Sequence, residues 1–368
     1  MISLLKTILG AGMLAMPAAF AALGLIPGML LILLTALLSG FGLRLYLDSG
    51  KVLAGDASFG KLASVTYPKL SLLFETAMML KCAGVSVSYL IVFADTMGGV
   101  FPFFSRTFWI LASVPVMAWL SMQRSLESLK MTSLLGLFAV LYLVLLGVYH
   151  YTSILERPVI AFFVEPSAAS LRALPVFIFA FTCHQNIIAV QKEAKNAPLV
   201  RLVDVCLLAS STLYLIFSVT GYTGIGPDVH SNILLDYPTE HPAYFLGRIA
   251  FALLAVFSFP LMTHPCRSSF QRLFYGDESK HFHLSTVLIL VFVYALVFLI
   301  TDLGLISALI GTFAGIPICY ILPSLFYRKL YGGDPSKNKT LIAAAWMAAF
   351  GIVAMILCTT SLLLFPHK

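Results

Sequence analysis

Residues 6–17 read Lys-Thr-Ile-Leu-Gly-Ala-Gly-Met-Leu-Ala-Met-Pro, an apolar stretch with two glycines around an alanine and a proline shortly after. Gly and Pro in such positions disfavour a continuous helix. The flanking residues are nevertheless apolar enough for lipid, where freed backbone N–H and C=O groups must find some other partner. N–H groups at the start of a half-helix suit a carboxylate. The same glycines would also serve as a close-packing face between membrane helices, and this stretch alone does not choose.

A second stretch has the same character. Residues 174–186 read Leu-Pro-Val-Phe-Ile-Phe-Ala-Phe-Thr-Cys-His-Gln-Asn, placing a polar run, Thr182–Asn186, inside an apolar segment. Polar groups at membrane depth are costly and face the bundle interior. Two interrupted helices at matching places in two halves point to an inverted repeat with a site near the midplane. Exposed N–H groups there would take a carboxylate and exposed carbonyls an ammonium or a cation. An amino acid carries both charges on one carbon.

The whole composition agrees with lipid as the solvent. Of 368 residues, 60% are hydrophobic and only 11% charged, against roughly 25% charged in a soluble domain. The formal charge of +7 is scattered over the loops without a basic stripe, so no nucleic-acid partner is expected. Cys82, Cys183, Cys206, Cys266, Cys319 and Cys358 lie in or beside apolar runs and read as small buried hydrophobes. No metal site, cofactor or phosphate-cradling glycine–lysine loop is indicated. An intramembrane enzyme, for example an acyltransferase using His184, would need a second titratable group at that depth and longer loops.

Apolar runs predict eleven helices, at roughly 2–22, 26–47, 70–97, 107–122, 131–151, 172–191, 202–224, 243–264, 284–301, 304–326 and 341–365. The first starts almost at Met1 and reads as a retained span, not a cleaved signal. Helices 1–5 and 6–10 form two halves and helix 11 is extra, so residues 1–368 read as one all-α transmembrane domain. Loop cations set the orientation. Sixteen (Arg44, Lys51, Lys61, Lys69, Arg124, Lys130, Lys192, Lys195, Arg201, Arg267, Arg272, Lys280, Arg328, Lys329, Lys337, Lys339) fall on one side, against five (Arg106, Arg157, Arg172, Arg248, Lys368) on the other. The N-terminus is therefore expected in the cytoplasm and the C-terminus in the lumen or exterior. The sequon Asn338-Lys339-Thr340 falls on the cytoplasmic side.

Several motifs carry a resemblance. Lys6–Pro17 is similar to the opening helix of the amino acid/auxin permease family, close to its fungal vacuolar transporters. Lys81-Cys82-Ala83-Gly84-Val85-Ser86-Val87-Ser88-Tyr89-Leu90, Phe177–Asn186, Asn232-Ile233-Leu234 with Tyr237, Phe257-Ser258-Phe259-Pro260-Leu261 and His264-Pro265-Cys266-Arg267 follow in order along nearly the whole chain. The resemblance implies a LeuT-like five-plus-five fold, amino-acid substrates, alternating access and a site at unwound segments of helices 1 and 6. Thr7, Gly10, Ala11, Gly12, Tyr89, Phe181, Thr182 and His184 are its substrate-binding candidates. A vacuolar or lysosomal membrane is favoured, with the plasma membrane as the alternative. Only nine residues precede Gly10, so either the first half-helix is short or upstream residues are missing.

The sodium-coupled neutral amino-acid members of that family place an asparagine and a hydroxyl residue around sodium. These positions fall here on Lys6 and Ser258. An ammonium at a cation site repels the cation and can stand in for it, so coupling to protons is expected, with sodium coupling or a transport-inactive sensor as alternatives. Lys6 also fits a lysine snorkelling at a helix end. Lys81, near mid-depth of helix 3, is a further ion-coupling candidate. Glu75 lies on another face, so the partner of Lys81 is expected from another helix. His264, Arg267, Asp204 and Arg248 read as structural or interfacial.

Overall fold

The computed structural model describes residues 2–53, 59–123, 130–193, 198–276 and 280–364. Of the loop cations counted above, Arg124, Lys195 and Lys368 lie outside these ranges.

Helix occupies each of the eleven expected segments. The first consists of α1 (Ile2–Ile8) and α2 (Gly12–Leu23), followed by α3 (Leu25–Lys51), a short α4 (Phe59–Thr66), α5 (Ser71–Val100), α6 (Arg106–Ser121) and α7 (Lys130–Ser153). The sixth consists of α8 (Ala168–Ala180) and α9 (Ile187–Glu193). After it come α10 (Leu199–Ile225), α11 (Pro242–Tyr275), α12 (Phe282–Leu299), α13 (Leu303–Ile310), α14 (Leu322–Tyr331) and α15 (Asn338–Leu364). Among the described residues, eight helices are long and apolar enough to cross a membrane, counting α13 to α14 as one. The remaining segments are the two in pieces and α6, which has 16 residues.

Corresponding helices of the two halves pack on one another. α2 lies against α8, α3 against α10, α5 against α11 and α6 against α12, pairing first with sixth through fourth with ninth. The contact of α5 with α11 is the most extensive in the molecule. α5 is also the most enclosed helix, with 83% of its apolar stretch inside the protein, as expected for a helix apolar all round. Glu75 of α5 and Arg272 of α11 close this contact at one end through two hydrogen bonds of 2.7 and 2.8 Å. All six cysteines are buried and none forms a disulfide among the described residues.

Three features differ from expectation. α11 does not stop at 264 but continues to Tyr275 through Pro260 and Pro265. His264 and Arg267 therefore lie inside it. Arg267 donates to Ser121 O and Thr286 Oγ1, both at 3.0 Å, and His264 Nε2 meets Gln123 O at 3.0 Å. The tenth segment is not one regular helix: wide π-helical turns span Gly311–Gly315 and Pro317–Ile321 between α13 and α14. Such turns displace the hydrogen-bond ladder and are frequent at functional sites. Arg248, expected at an interface, is buried and donates to Leu234 O and Tyr237 O of the 226–241 connection. Asp204 is half-exposed and paired with Arg44 across α3 and α10.

Candidate functional site

The first break runs from Leu9 to Ala11, and its glycines are explained by close approach. A Cβ on Gly10 would lie 2.8 Å from Tyr89 Oη of α5, and one on Gly12 would lie 3.1 Å from the Phe179 ring of α8. Pro17 is not the breaking residue: it sits buried within α2. Local bonds recover part of the ladder, with Met13 and Leu14 N–H donating to Gly10 and Ala11 carbonyls at 3.1 Å.

The second break covers Phe181–Cys183, followed by one tight turn at His184–Asn186 before α9. Thr182 Oγ1 donates back to Ile178 O at 2.6 Å. This is the competition by which a hydroxyl loosens helical backbone.

Two side chains join the breaks. Asn186 Nδ2 donates to Thr7 Oγ1 at 2.7 Å, tying the turn after the second break to α1. Tyr214 of α10 donates its hydroxyl to Ile8 O at 2.5 Å, and the same oxygen lies 3.3 Å from Ala180 O. These are the carbonyls ending α1 and α8. The Gly10 N–H also faces this hydroxyl, and the Tyr214 ring stands edge-on to Phe181 at 5.2 Å. Thr7, Gly10, Gly12, Tyr89, Phe181 and Thr182 are thus gathered around the two breaks, with Ala11 on the chain between the glycines.

His184 is fully buried and already engaged by the protein. Its Nε2 meets Ser39 O at 3.1 Å, so that nitrogen carries a proton, while Nδ1 faces Cys319 Sγ at 3.2 Å. Cys319 Sγ also approaches Thr182 Oγ1 at 3.4 Å, tying the π-helical segment to the second break. His184 therefore shapes the break, its two nitrogens being already occupied.

The ion-coupling candidates separate. Lys6 is 6% exposed, and its buried Nζ has no hydrogen-bond partner among the described residues. Its Cε lies 3.3 Å from the position a Cβ would take on Gly136 of α7, where Leu254 of α11 also converges. The snorkelling expectation fails at this point, since the ammonium does not reach solvent. Ser258 follows Leu254 by one turn on α11, and its buried hydroxyl faces that of Tyr89, beside Gly10. Lys81 lies elsewhere, beside the second break. Among the described residues no carboxylate from another helix stands beside it: its neighbours are the thiols of Cys82, Cys183 and Cys319 and the imidazole of His184.

A cavity of about 280 Å³ opens against α2 and α8, lined by Ala15, Ala19, Arg172, Val176, Ser231 and Asp302 among others. Ser231 donates to Asp302 Oδ2 at 2.5 Å, linking the 226–241 connection to the start of α13.

Sequence reasoning missed Tyr214. Its one signal is the preceding run Ser210-Ser211-Thr212, which adds polarity to an otherwise apolar helix.

The family model for transmembrane amino acid transporter proteins matches residues 1–364. The chain belongs to that family. It is 35% identical to vacuolar amino acid transporter 5 of Schizosaccharomyces pombe, over 97% of this chain and 92% of that protein. It is 31% identical to vacuolar amino acid transporter 5 of Saccharomyces cerevisiae, over 90% of this chain and 88% of that one. The putative sodium-coupled neutral amino acid transporter 11 of mouse is 26% identical, over 96% and 82%. Among solved structures, a manganese transporter of Eremococcus coleocola covers 98% of this chain and 94% of its own at a TM-score of 0.58, with 12% identity. That likeness shows the fold alone, an all-helical LeuT-like transporter architecture, and says nothing of cargo. The family is one of transporters and not of enzymes.

Proposed function

We propose that this chain is a secondary active transporter that moves amino acids by alternating access, coupled to protons, across a vacuolar membrane. In this reading eleven helices cross the bilayer with the N-terminus in the cytoplasm, and two five-helix halves rock around a site at the two breaks. The observation that carries it is the joining of both breaks by Tyr214, in a chain of an amino-acid transporter family. The substrate carboxylate takes N–H groups at Ala11 and Gly12, where the start of α2 is electropositive. The ammonium takes the carbonyl of Ala180, which no helix ladder claims, while Tyr214 holds that of Ile8. Tyr89, Phe181 and Thr182 wall the space. The vacuolar setting follows the names of the two fungal relatives.

Lys6 decides the ion. A buried ammonium without a counter-charge occupies a junction where a cation would otherwise be welcome, so sodium is repelled. In the proposed cycle Lys6 is the proton carrier. The test is uptake into proteoliposomes with imposed proton or sodium gradients and a panel of amino acids. Proton-driven uptake is expected, and sodium-driven, pH-insensitive uptake would refute the assignment of Lys6. Lys6→Asn is expected to weaken proton dependence about tenfold or more, measured as the ratio of uptake with and without the gradient. An unchanged ratio would leave Lys6 a structural residue.

A further inference from the structure

Two lysines are buried around the breaks, and among the described residues neither faces a carboxylate. Lys6 has no charged neighbour among them, and Lys81, 2% exposed, is surrounded by thiols and the imidazole of His184. The acidic groups of α5 are already committed, Glu75 to Arg272 and Asp95 to Arg106. A buried charge is tolerated when it is paired, so the missing anion is informative. Lys81 is the better placed of the two to meet a substrate. Of its neighbours, Cys183 belongs to the second break, and Cys319 touches Thr182 and His184 there.

A neutral amino acid brings one carboxylate and one ammonium, and both are already claimed by the backbone of the breaks. It leaves Lys81 as it was. A cationic amino acid adds a like charge. An acidic amino acid brings a second carboxylate and supplies the counter-charge that the described residues lack. We infer that the preferred substrate is a dicarboxylic amino acid whose side-chain carboxylate pairs with Lys81; this rests on the transporter reading above. The hydroxyl of Thr182 stands beside that pairing as a polar wall, while the thiols around it are weak hydrogen-bonding groups that leave the ammonium's donors for the ligand.

The experiment is competition against labelled glutamate counterflow in proteoliposomes holding the full chain, using glutamine as the isosteric neutral probe and lysine as the cationic one. Glutamate and aspartate are expected to compete about tenfold or more better than glutamine, the scale of a charge-assisted hydrogen bond. Lys81→Met is expected to bring the glutamate-to-glutamine ratio to about one, and Lys81→Arg to keep most of it. The wild-type comparison stands even if Lys81→Met fails to fold. Glutamine competing as well as glutamate in the wild type would overturn the inference, as would a Lys81→Met protein that keeps the preference. Chloride-dependent uptake of neutral amino acids without acidic preference would assign the anion to the medium and also overturn it. If no amino acid of any class is carried or competes, the transporter reading itself fails.

Discussion

Replacing Gly311 with alanine is expected to destabilise the protein more than any other single methyl addition near the site. The added Cβ would lie 2.0 Å from Pro175 O and 2.7 Å from Pro175 C, both backbone atoms of α8. No rotamer change relieves a collision with backbone, so α8 and the π-helical segment must part. Overpacking of this kind costs about 1–3 kcal/mol and sometimes more, and the upper end is expected here. Because Cys319 couples this segment to Thr182, parting them also deforms the second break. A lowered midpoint in a detergent thermal-stability assay is the expected result, together with uptake near background. Gly98→Ala is the control, since a Cβ there meets nothing within 4 Å, and it is expected to stay within about 0.5 kcal/mol of the parent. Equal midpoints for the two variants would show that the close approach at Gly311 is not a constraint.

Both breaks were legible because their residues violate what lipid demands of a continuous helix. Gly10-Ala11-Gly12 alone also fitted a close-packing face, but with Thr182–Asn186 it pointed to paired breaks, and the structure breaks the helices at 9–11 and 181–183. The third irregularity, at Gly311–Ile321, was not legible. Its residues, Gly-Thr-Phe-Ala-Gly-Ile-Pro-Ile-Cys-Tyr-Ile, are apolar enough to pass for a kinked helix, and a π-helical turn leaves no compositional mark. Reading α11 as ending at 264 failed for the opposite reason. Pro260 and Pro265 signal a helix end in water, whereas in a packed bundle neighbouring groups satisfy the freed carbonyls and the helix continues. For Lys81 the sequence pointed to a partner on another helix, and among the described residues that place is taken by thiols and His184, not by a carboxylate. For Lys6 the sequence left a coupling lysine and a snorkelling one both open, and its burial against Gly136 is visible only in the packing.

Tyr214→Phe is expected to cut uptake by about tenfold to a hundredfold while leaving most of the stability intact. The variant keeps the aromatic ring and with it the edge-on contact to Phe181, so packing changes little. What it removes is the hydroxyl set between the carbonyls of Ile8 and Ala180. A hydroxyl has one proton, which goes to Ile8 O, the nearer acceptor. Ala180 O is then left partly satisfied, open to a donor that arrives with the substrate. The arrangement holds α1 and α8 at a fixed separation while keeping one acceptor available. Without the hydroxyl, two buried acceptors compete for the same ligand ammonium. Each unsatisfied group costs about 1–3 kcal/mol, which α1 can avoid by shifting to find another donor. Because the geometry offered to the substrate is lost before any contact to its side chain, all amino acids should be affected alike. That separates Tyr214 from Lys81, whose replacement is expected to change selectivity and not the common recognition of the amino-acid head. Tyr222→Phe is the comparator: its hydroxyl bonds Ala161 N at 3.1 Å, away from both breaks. Loss of that bond should leave uptake within a few-fold of the parent. Near-normal uptake by Tyr214→Phe, at a midpoint close to the parent, would show that the two breaks are held apart by packing alone and that the hydroxyl is incidental.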